Sequence, residues 1–240
     1  MGVTTHSNNL VQKHKGNAKT MLELGSQNTY FDCEPMGVAK EYYTKQGFDH
    51  YSLDANGEYD SEIVDLATVL NLEPCDIVTD FGTSEHVSNY YNCWLNKHNG
   101  CKIGGLIISE NPKVNNWHGH GFHYLTKEFY TELCKVAGYE LIEVGEHAAM
   151  GNVTDGWNVY GVLRKVSDAF PSESEFCILP FESTNAAKRK TEVEGNEQPF
   201  VVEGVDLSEH NAHLKLAPIA TEPPIEDTPA PKKRGRPSKK

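Results

Sequence analysis

From about Asn17 to Ser167, short apolar runs alternate with stretches of helical spacing, which predicts a parallel sheet with helices on both faces. The first run, AKTMLELG, ends at Gly25; SQNTYF then reads as a loop, and PMGVAKEYYTKQG has helical spacing and stops at Gly47. FDHYSLDANG, the short EIVDLATVL and CDIVTDFGTSEHV follow, and each carries an acid near its C-terminal end: Asp54, Asp65 and Asp80. After a helical VSNYYNCWLNKH, the Gly-led CKIGGLIISENP reads as a fifth strand closed by Pro112, and KVNNWHGHGFHY as a loop. Thr126 caps a helix with Phe129, Leu133 and Val136 on one face, Gly138 breaks it, and YELIEV and WNVYGVLRKV supply the last strands. The expectation is one α/β domain over 17–168, Rossmann-like and doubly wound, with a mostly parallel seven-stranded sheet and residues 1–16 as an N-terminal extension.

Beyond Asp168 the pattern dissolves. SESE, NAAKRKTEVEGNEQ and TEPPIEDTPAPKKRGRPSKK are polar, charged and proline-bearing, with FCILPF and FVVEGVDL as brief apolar islands. Residues 169–230 therefore read as a largely disordered acidic and polar linker, and 231–240 as a separate basic tip.

Composition agrees with a packed domain plus a solvated tail: 38% hydrophobic residues, 11 Tyr and 9 Phe supply a core, while the mean hydropathy of -0.55 is low for a chain that is all core. The net charge of -12 opposes binding of the whole body to phosphates or anionic lipid, so any nucleic-acid contact must be local. No run of eighteen apolar residues exists and MGVTTHSNNLVQKHKGN lacks the apolar centre of a signal peptide, so no membrane partner and a cytoplasmic location are expected. The six cysteines form no CxxC pair and read as reduced, mostly buried thiols.

Acids at successive strand ends lie at the edge where open α/β sheets bind ligands. An adenosine-bearing cofactor with a charged sulfonium needs close backbone at its amino-acid part, a carboxylate for two ribose hydroxyls and a slot for adenine. A strand with a Gly turn, a second and a short third each ending in an acid, and a fourth ending in DFG make an order that resembles the class I S-adenosylmethionine-dependent methyltransferase family of phage and bacterial type, over roughly 17–168. The resemblance implies that Glu23 and Gly25 meet the amino-acid part, Asp54 the ribose, and Asp65 with Leu66 the adenine, while Asp80 and Gly82 of the DFG stretch face the cofactor. TDFGTSEHV is similar to the fourth-strand motif of one branch of that family, whose loop faces cofactor and acceptor together. Where the family carries E/D-x-G-x-G-x-G, this chain has Glu23-Leu24-Gly25-Ser26-Gln27-Asn28, with one glycine of three; the G-x-G-x-x-G of nicotinamide enzymes is also absent. Carboxylates also simply terminate strands, and it is the three in order that point to a site.

Methyl transfer from a sulfonium is an in-line displacement governed mainly by positioning, with a base needed where the acceptor carries a proton. Asp80, Glu85 and His86 are the candidates on the acceptor side, His86 as base because imidazole titrates near neutrality; the alternative is that His86 caps or packs the following helix. His118, His120 and His123 share one Gly-broken loop with a spacing that can hold a metal, but no Cys or Asp stands beside them. The loop reads instead as a lid or acceptor wall with Trp117 and Phe122 as apolar cover, and no metal site is assigned.

The tip PKKRGRPSKK resembles an AT-hook: Arg234-Gly235-Arg236-Pro237 flanked by Lys232 and Lys233. Gly235 would let the backbone lie deep in the narrow minor groove of A/T-rich DNA while both arginines reach along it. A nuclear-localisation-like signal, an RNA-binding arm or a contact with the protein's own acidic surface are the other readings of so basic a tip. Together these features describe a methyltransferase acting near or on DNA, although no D/N/S-P-P-Y/F motif follows the fourth strand to mark DNA itself as the acceptor. A DNA-binding protein that keeps the fold without catalysis, and a methyltransferase of a small molecule, glycan or protein localised by its tail, are the alternatives.

Overall fold

The computed structural model describes residues 2–31, 34–149 and 156–184, with the short pairs 201–202 and 205–206; the basic tip 231–240 and most of the expected linker lie outside the described residues. Chain order opens with β1 (Val3–Thr4), α1 (Thr5–His14), β2 (Thr20–Leu24), β3 (Asn28–Phe31), β4 (Glu34–Val38) and α2 (Ala39–Lys45). It continues through β5 (Asp49–Asp54), β6 (Glu62–Ile63), β7 (Cys75–Phe81), α3 (Tyr90–Asn99), β8 (Cys101–Pro112) and β9 (His123–Leu125). α4 (Lys127–Val136), β10 (Tyr139–Ala148), β11 (Trp157–Lys165), α5 (Glu173–Phe176) and β12 (Phe181–Ser183) complete it.

A seven-stranded sheet has the order β10-β11-β8-β7-β2-β5-β6. The strands from β8 to β6 pair in parallel, and β11 runs antiparallel to both β8 and β10. The central strands are buried on both faces, the polar Glu23, Thr79 and Asp80 included. Leu22, Leu24, Val78 and Ile107 pack on one side against Trp94 of α3 and Phe129 and Leu133 of α4. Met21, Ile77, Ile108 and Val162 pack on the other against Val11 of α1 and Tyr43 of α2. Each buried aliphatic or aromatic side chain contributes roughly 1.5–3 kcal/mol, so the sheet and its two covering layers are one cooperative core.

The edges of the domain differ from the sequence reading. Residues 1–16 are not an appendage: Thr4 and Ser7 form a reciprocal capping box that starts α1, and Val3, Leu10 and Val11 are buried against the sheet. SQNTYF is not a loop, because Asn28–Phe31 forms β3 and pairs with β1 and β4 in a small sheet; the following helix accordingly starts at Ala39 rather than near Pro35. Of EIVDLATVL only Glu62–Ile63 is extended. Nor does the domain stop at 168. Ser172 caps α5, β12 pairs with β9, and Phe176, the first aromatic of the FCILPF island, is buried among Tyr90, Phe129 and Phe181. Polar flanks hid an island whose aromatic side chains complete the α3–α4 layer. Among the described residues no helix is long and apolar enough to cross a membrane.

Candidate functional site

The chain order leaves β2 toward β5 and β6 on one side and returns to β7 and β8 on the other, which puts a topological switch point between β2 and β7. A cavity of about 340 Å³ opens there, at the C-terminal ends of β2, β5 and β7. Gly25, Asp54, Asp65, Leu66, Gly82 and His86, drawn from well-separated stretches of the sequence, all line it.

Local chemistry builds each wall. At Gly25 the chain leaves β2 with φ +79, a conformation suited to glycine; a Cβ there would lie 2.2 Å from Thr83 Oγ1. The Gly25 N–H donates to the Leu53 carbonyl (2.7 Å), which locks the turn to β5. Asp54 Oδ2 accepts from the Ser26 N–H (2.6 Å) and Oδ1 from the Asn56 N–H (3.2 Å), so the carboxylate is held at the mouth with acceptor capacity to spare. Asp65 accepts from the Ala67 N–H (2.9 Å), a local turn that leaves Val64 and Leu66 as the apolar part of the wall. On the far side, the Gly82 N–H donates to the Glu110 carbonyl (3.0 Å). Gln27 and Thr83 fasten the two strand ends together: Gln27 Nε2 donates to Thr83 Oγ1 (2.9 Å), and that hydroxyl donates to the Leu24 carbonyl (2.9 Å). Both residues lie inside the stretches that carry the resemblance, but neither was assigned a role there, because their pairing across fifty-six positions left no local signal.

Three of the expected residues, Glu23, Asp80 and Glu85, are not on the cavity lining. Glu23 is buried with its Oε2 3.8 Å from His50 Nε2, and burial foremost pushes its carboxyl well above the usual range. Asp80 is fully buried: Lys97 Nζ (2.5 Å), Ser84 Oγ (2.7 Å), Asn111 Nδ2 (3.0 Å) and Ser109 Oγ (3.1 Å) all donate to its Oδ2. Burial alone would raise this carboxyl, but the Lys97 charge and these hydrogen bonds hold it down at about 2. Asp80 is therefore an ion-pair anchor under the turn, and its Oδ1 accepts from the Thr83 and Ser84 N–H groups (3.3 and 3.1 Å).

The histidine loop does not act as one group. His118 is exposed, His123 is buried against Tyr90 and pairs with Ser183 Oγ and the Val87 carbonyl, and His120 alone meets the site. Its Nε2 lies 3.5 Å from Glu85 Oε1, and His86 Nε2 lies 3.6 Å from the same oxygen. The His86 and His120 rings meet edge to face at 4.8 Å. Burial lowers the His86 imidazole below its ordinary value, the Glu85 charge opposes this and His120 adds to it. Trp117 does not cover the cavity: its Nε1 donates to Asn158 Oδ1 (2.9 Å) of β11, and Phe122 is fixed by its own N–H donating to the Glu85 carbonyl (2.7 Å).

A second cluster stands at the end of β8. Glu110 accepts from or pairs with His147 Nε2 (2.7 Å), His6 Nδ1 (3.0 Å), Asn158 Nδ2 (3.0 Å) and Ser7 Oγ (3.1 Å), which ties α1 and β10 to the sheet edge.

No protein-family profile matches the chain, and no curated protein sequence is significantly similar to it. Solved structures are similar in fold. The 1,6-didemethyltoxoflavin-N1-methyltransferase of Burkholderia thailandensis, solved with 1,6-didemethyltoxoflavin and S-adenosylhomocysteine bound, matches with a TM-score of 0.53 at 12% identity over 68% of this chain and 78% of its own. The N-methyltransferase NodS of Bradyrhizobium japonicum WM9 gives a TM-score of 0.47 at 11% identity over 68% of this chain and 95% of its own. With the strand order and the antiparallel β11, the likeness to the first of these establishes the fold as the Rossmann-like methyltransferase fold.

Proposed function

We propose that the protein is an S-adenosylmethionine-dependent methyltransferase, acting in the cytoplasm, with its cofactor in the cavity between β2, β5 and β7. One observation carries the reading: the glycine turn, the ribose-type carboxylate and the acid-plus-leucine pair arrive from three neighbouring elements on one wall-to-wall cavity at the switch point. The lining fits such a group. Gly25 carries the tight turn at the cavity wall, where a Cβ would collide with Thr83, Asp54 keeps lone pairs for two hydroxyls, and Val64 and Leu66 offer an apolar face to a base. The bound cofactor would supply an electrophilic methyl group on a positive sulfur. The chain's own contribution is positioning: Asp80 and Lys97 fix the turn Gly82–Ser88 from below, and His86 presents a half-exposed imidazole from that turn as the proton acceptor for an acceptor group that carries a proton.

We further infer from sequence that Arg234, Gly235, Arg236 and Pro237, with Lys232 and Lys233, anchor the enzyme to A/T-rich DNA, concentrating it near an acceptor that shares that location. Titration calorimetry of S-adenosylmethionine into the full chain tests the first part: one site per chain is expected, with affinity reduced at least about tenfold in Asp54→Ala, in line with loss of a hydrogen-bonded charged group. A folded wild type that takes up no cofactor would overturn it in favour of a DNA-binding protein that keeps the fold without catalysis. Fluorescence anisotropy with an A/T-rich duplex tests the second: removal of 231–240 should abolish binding while cofactor affinity stays unchanged, and DNA affinity that survives the truncation would sink the anchor.

A further inference from the structure

Glu85 presents a problem that the cofactor cavity does not solve. Its side chain is 1% exposed, and neither carboxylate oxygen has a hydrogen-bond partner. His120 Nε2, 3.5 Å away, is also buried without one. A buried carboxylate without a hydrogen bond is costly to a folded chain, and is tolerated where a ligand completes it.

The geometry names the ligand. Glu85 Oε1, His86 Nε2 and His120 Nε2 all lie within 4.8 Å of one another, and both histidine nitrogens stand 3.5–3.6 Å from the carboxylate oxygen. A tetrahedral ion with ligand bonds of about 2.0–2.2 Å has edges of about 3.3–3.6 Å between its ligand atoms, which is the spacing of the two carboxylate–imidazole edges here. Two imidazoles and one carboxylate suit a borderline divalent cation of the zinc, cobalt and nickel type better than magnesium or calcium, which demand oxygen shells. Backbone holds the three in place: the 3-10 turn Ser84–His86 rests on Asp80, and the Phe122 N–H donates to the Glu85 carbonyl, bringing the loop that carries His120 onto it.

We propose that Glu85, His86 and His120 form a three-ligand site for a first-row divalent transition cation, with its fourth position open on the exposed, histidine side. His86 is a wall of the cofactor cavity, so that fourth position neighbours the place where an acceptor would stand, and an ion on His86 Nε2 would take that nitrogen out of its role as proton acceptor; this last step rests on the methyltransferase reading, while the metal site stands on the triad alone. The cluster of His6, Glu110 and His147 has ligand atoms equally close, yet its carboxylate already takes four protein partners, so an ion there would have to displace a satisfied network.

Cobalt(II) titrated into the full-length chain purified without a histidine tag tests the site through its visible absorption, and zinc calorimetry supplies the stoichiometry. One ion per chain with the strong absorption of a tetrahedral centre is expected, weakened at least about tenfold in both Glu85→Gln and His120→Ala and unchanged in His118→Ala, an exposed neighbour in the same loop. Glu85→Gln keeps the side-chain shape, and circular dichroism checks that each variant is folded. Absence of cobalt binding by the folded wild type overturns the proposal, as does binding that survives in both ligand variants or is lost instead in His147→Ala. Cofactor titrations on the same proteins report separately on the cavity, so failure of one reading is visible apart from failure of the other.

Discussion

Replacing Lys97 by Met should cost the domain about 3–5 kcal/mol, the penalty for removing one partner of a buried ion pair. The Lys97 side chain is fully buried, its Nζ 2.5 Å from Asp80 Oδ2, 3.3 Å from Ser84 Oγ and 3.5 Å from the centre of the Trp94 ring. Methionine fills similar space without the charge, so the carboxylate keeps only neutral donors from Ser84, Ser109 and Asn111 at its Oδ2. For a domain of this size each kcal/mol moves the melting temperature by about 2–4 °C, which gives a drop of about 6–20 °C at neutral pH by calorimetry. The pH dependence carries a second signature. Because Asp80 is held at about 2, below the ordinary 3.8, its stabilisation is fully present above the ordinary value and is lost as pH falls toward the folded one. The gap between wild type and Lys97→Met should therefore be widest at neutral pH and narrow below about pH 4. A melting shift under about 3 °C, or a gap that stays constant into acid, would show that Asp80 does not depend on Lys97.

Gly25→Ala must place a side chain at φ +79 and 2.2 Å from Thr83 Oγ1, so a loss of about 1–3 kcal/mol in denaturant unfolding is expected together with weaker cofactor uptake; unchanged values for both would mean the turn has room. Phe176→Ala should cost about 3–5 kcal/mol, since the ring is fully buried among Tyr90, Tyr91, Phe129 and Phe181; a loss below about 1 kcal/mol would show α5 and β12 to be weakly docked. Burial would raise Glu110, but its hydrogen bonds from His147 and His6 hold it near 2; burial would lower His147, but Glu110 holds it above the ordinary 6.5. The Glu110 contribution is present above the ordinary carboxyl value and lost toward pH 2, and that of His147 is present below 6.5 and lost as pH rises through its raised value. Melting temperatures of the wild type minus those of His147→Gln should accordingly be largest between about pH 4.5 and 6.5, and a flat difference across neutrality would refute the coupling.

The strands with long apolar runs were legible because burial on both faces leaves a signal in every residue, as in MLEL of β2 and CDIVTDF of β7. Strand-end residues such as Asp54, Asp65 and Gly82 could be placed on one edge from their order alone. What the sequence hid depended on partners far along the chain. β3 is a strand because Val3 and Thr4 pair with it, and residues 169–184 are structured because aromatic side chains of α3 and α4 wait for Phe176 and Phe181. The roles of Asp80 and Glu85 were hidden for the same reason: one meets Lys97 on the next helix, the other His120 in a loop beyond the next strand. Spacing grouped His118, His120 and His123, whereas the fold separates them and joins His120 to His86.

Both ends of the described domain leave it on one edge. Ser7 at the start of α1 bonds Glu110 at the end of β8, and the Thr184 N–H donates to the Phe122 carbonyl beside Glu85. A run of histidines inserted at either of these two points would compete with Glu85 and His120 for any cation. The entry edge of the sheet is free of this difficulty: Ile103, 60% exposed near the start of β8, stands at the opposite end of that strand, and a cysteine placed there, with the exposed Cys177 replaced, would tether the protein to a sensor surface.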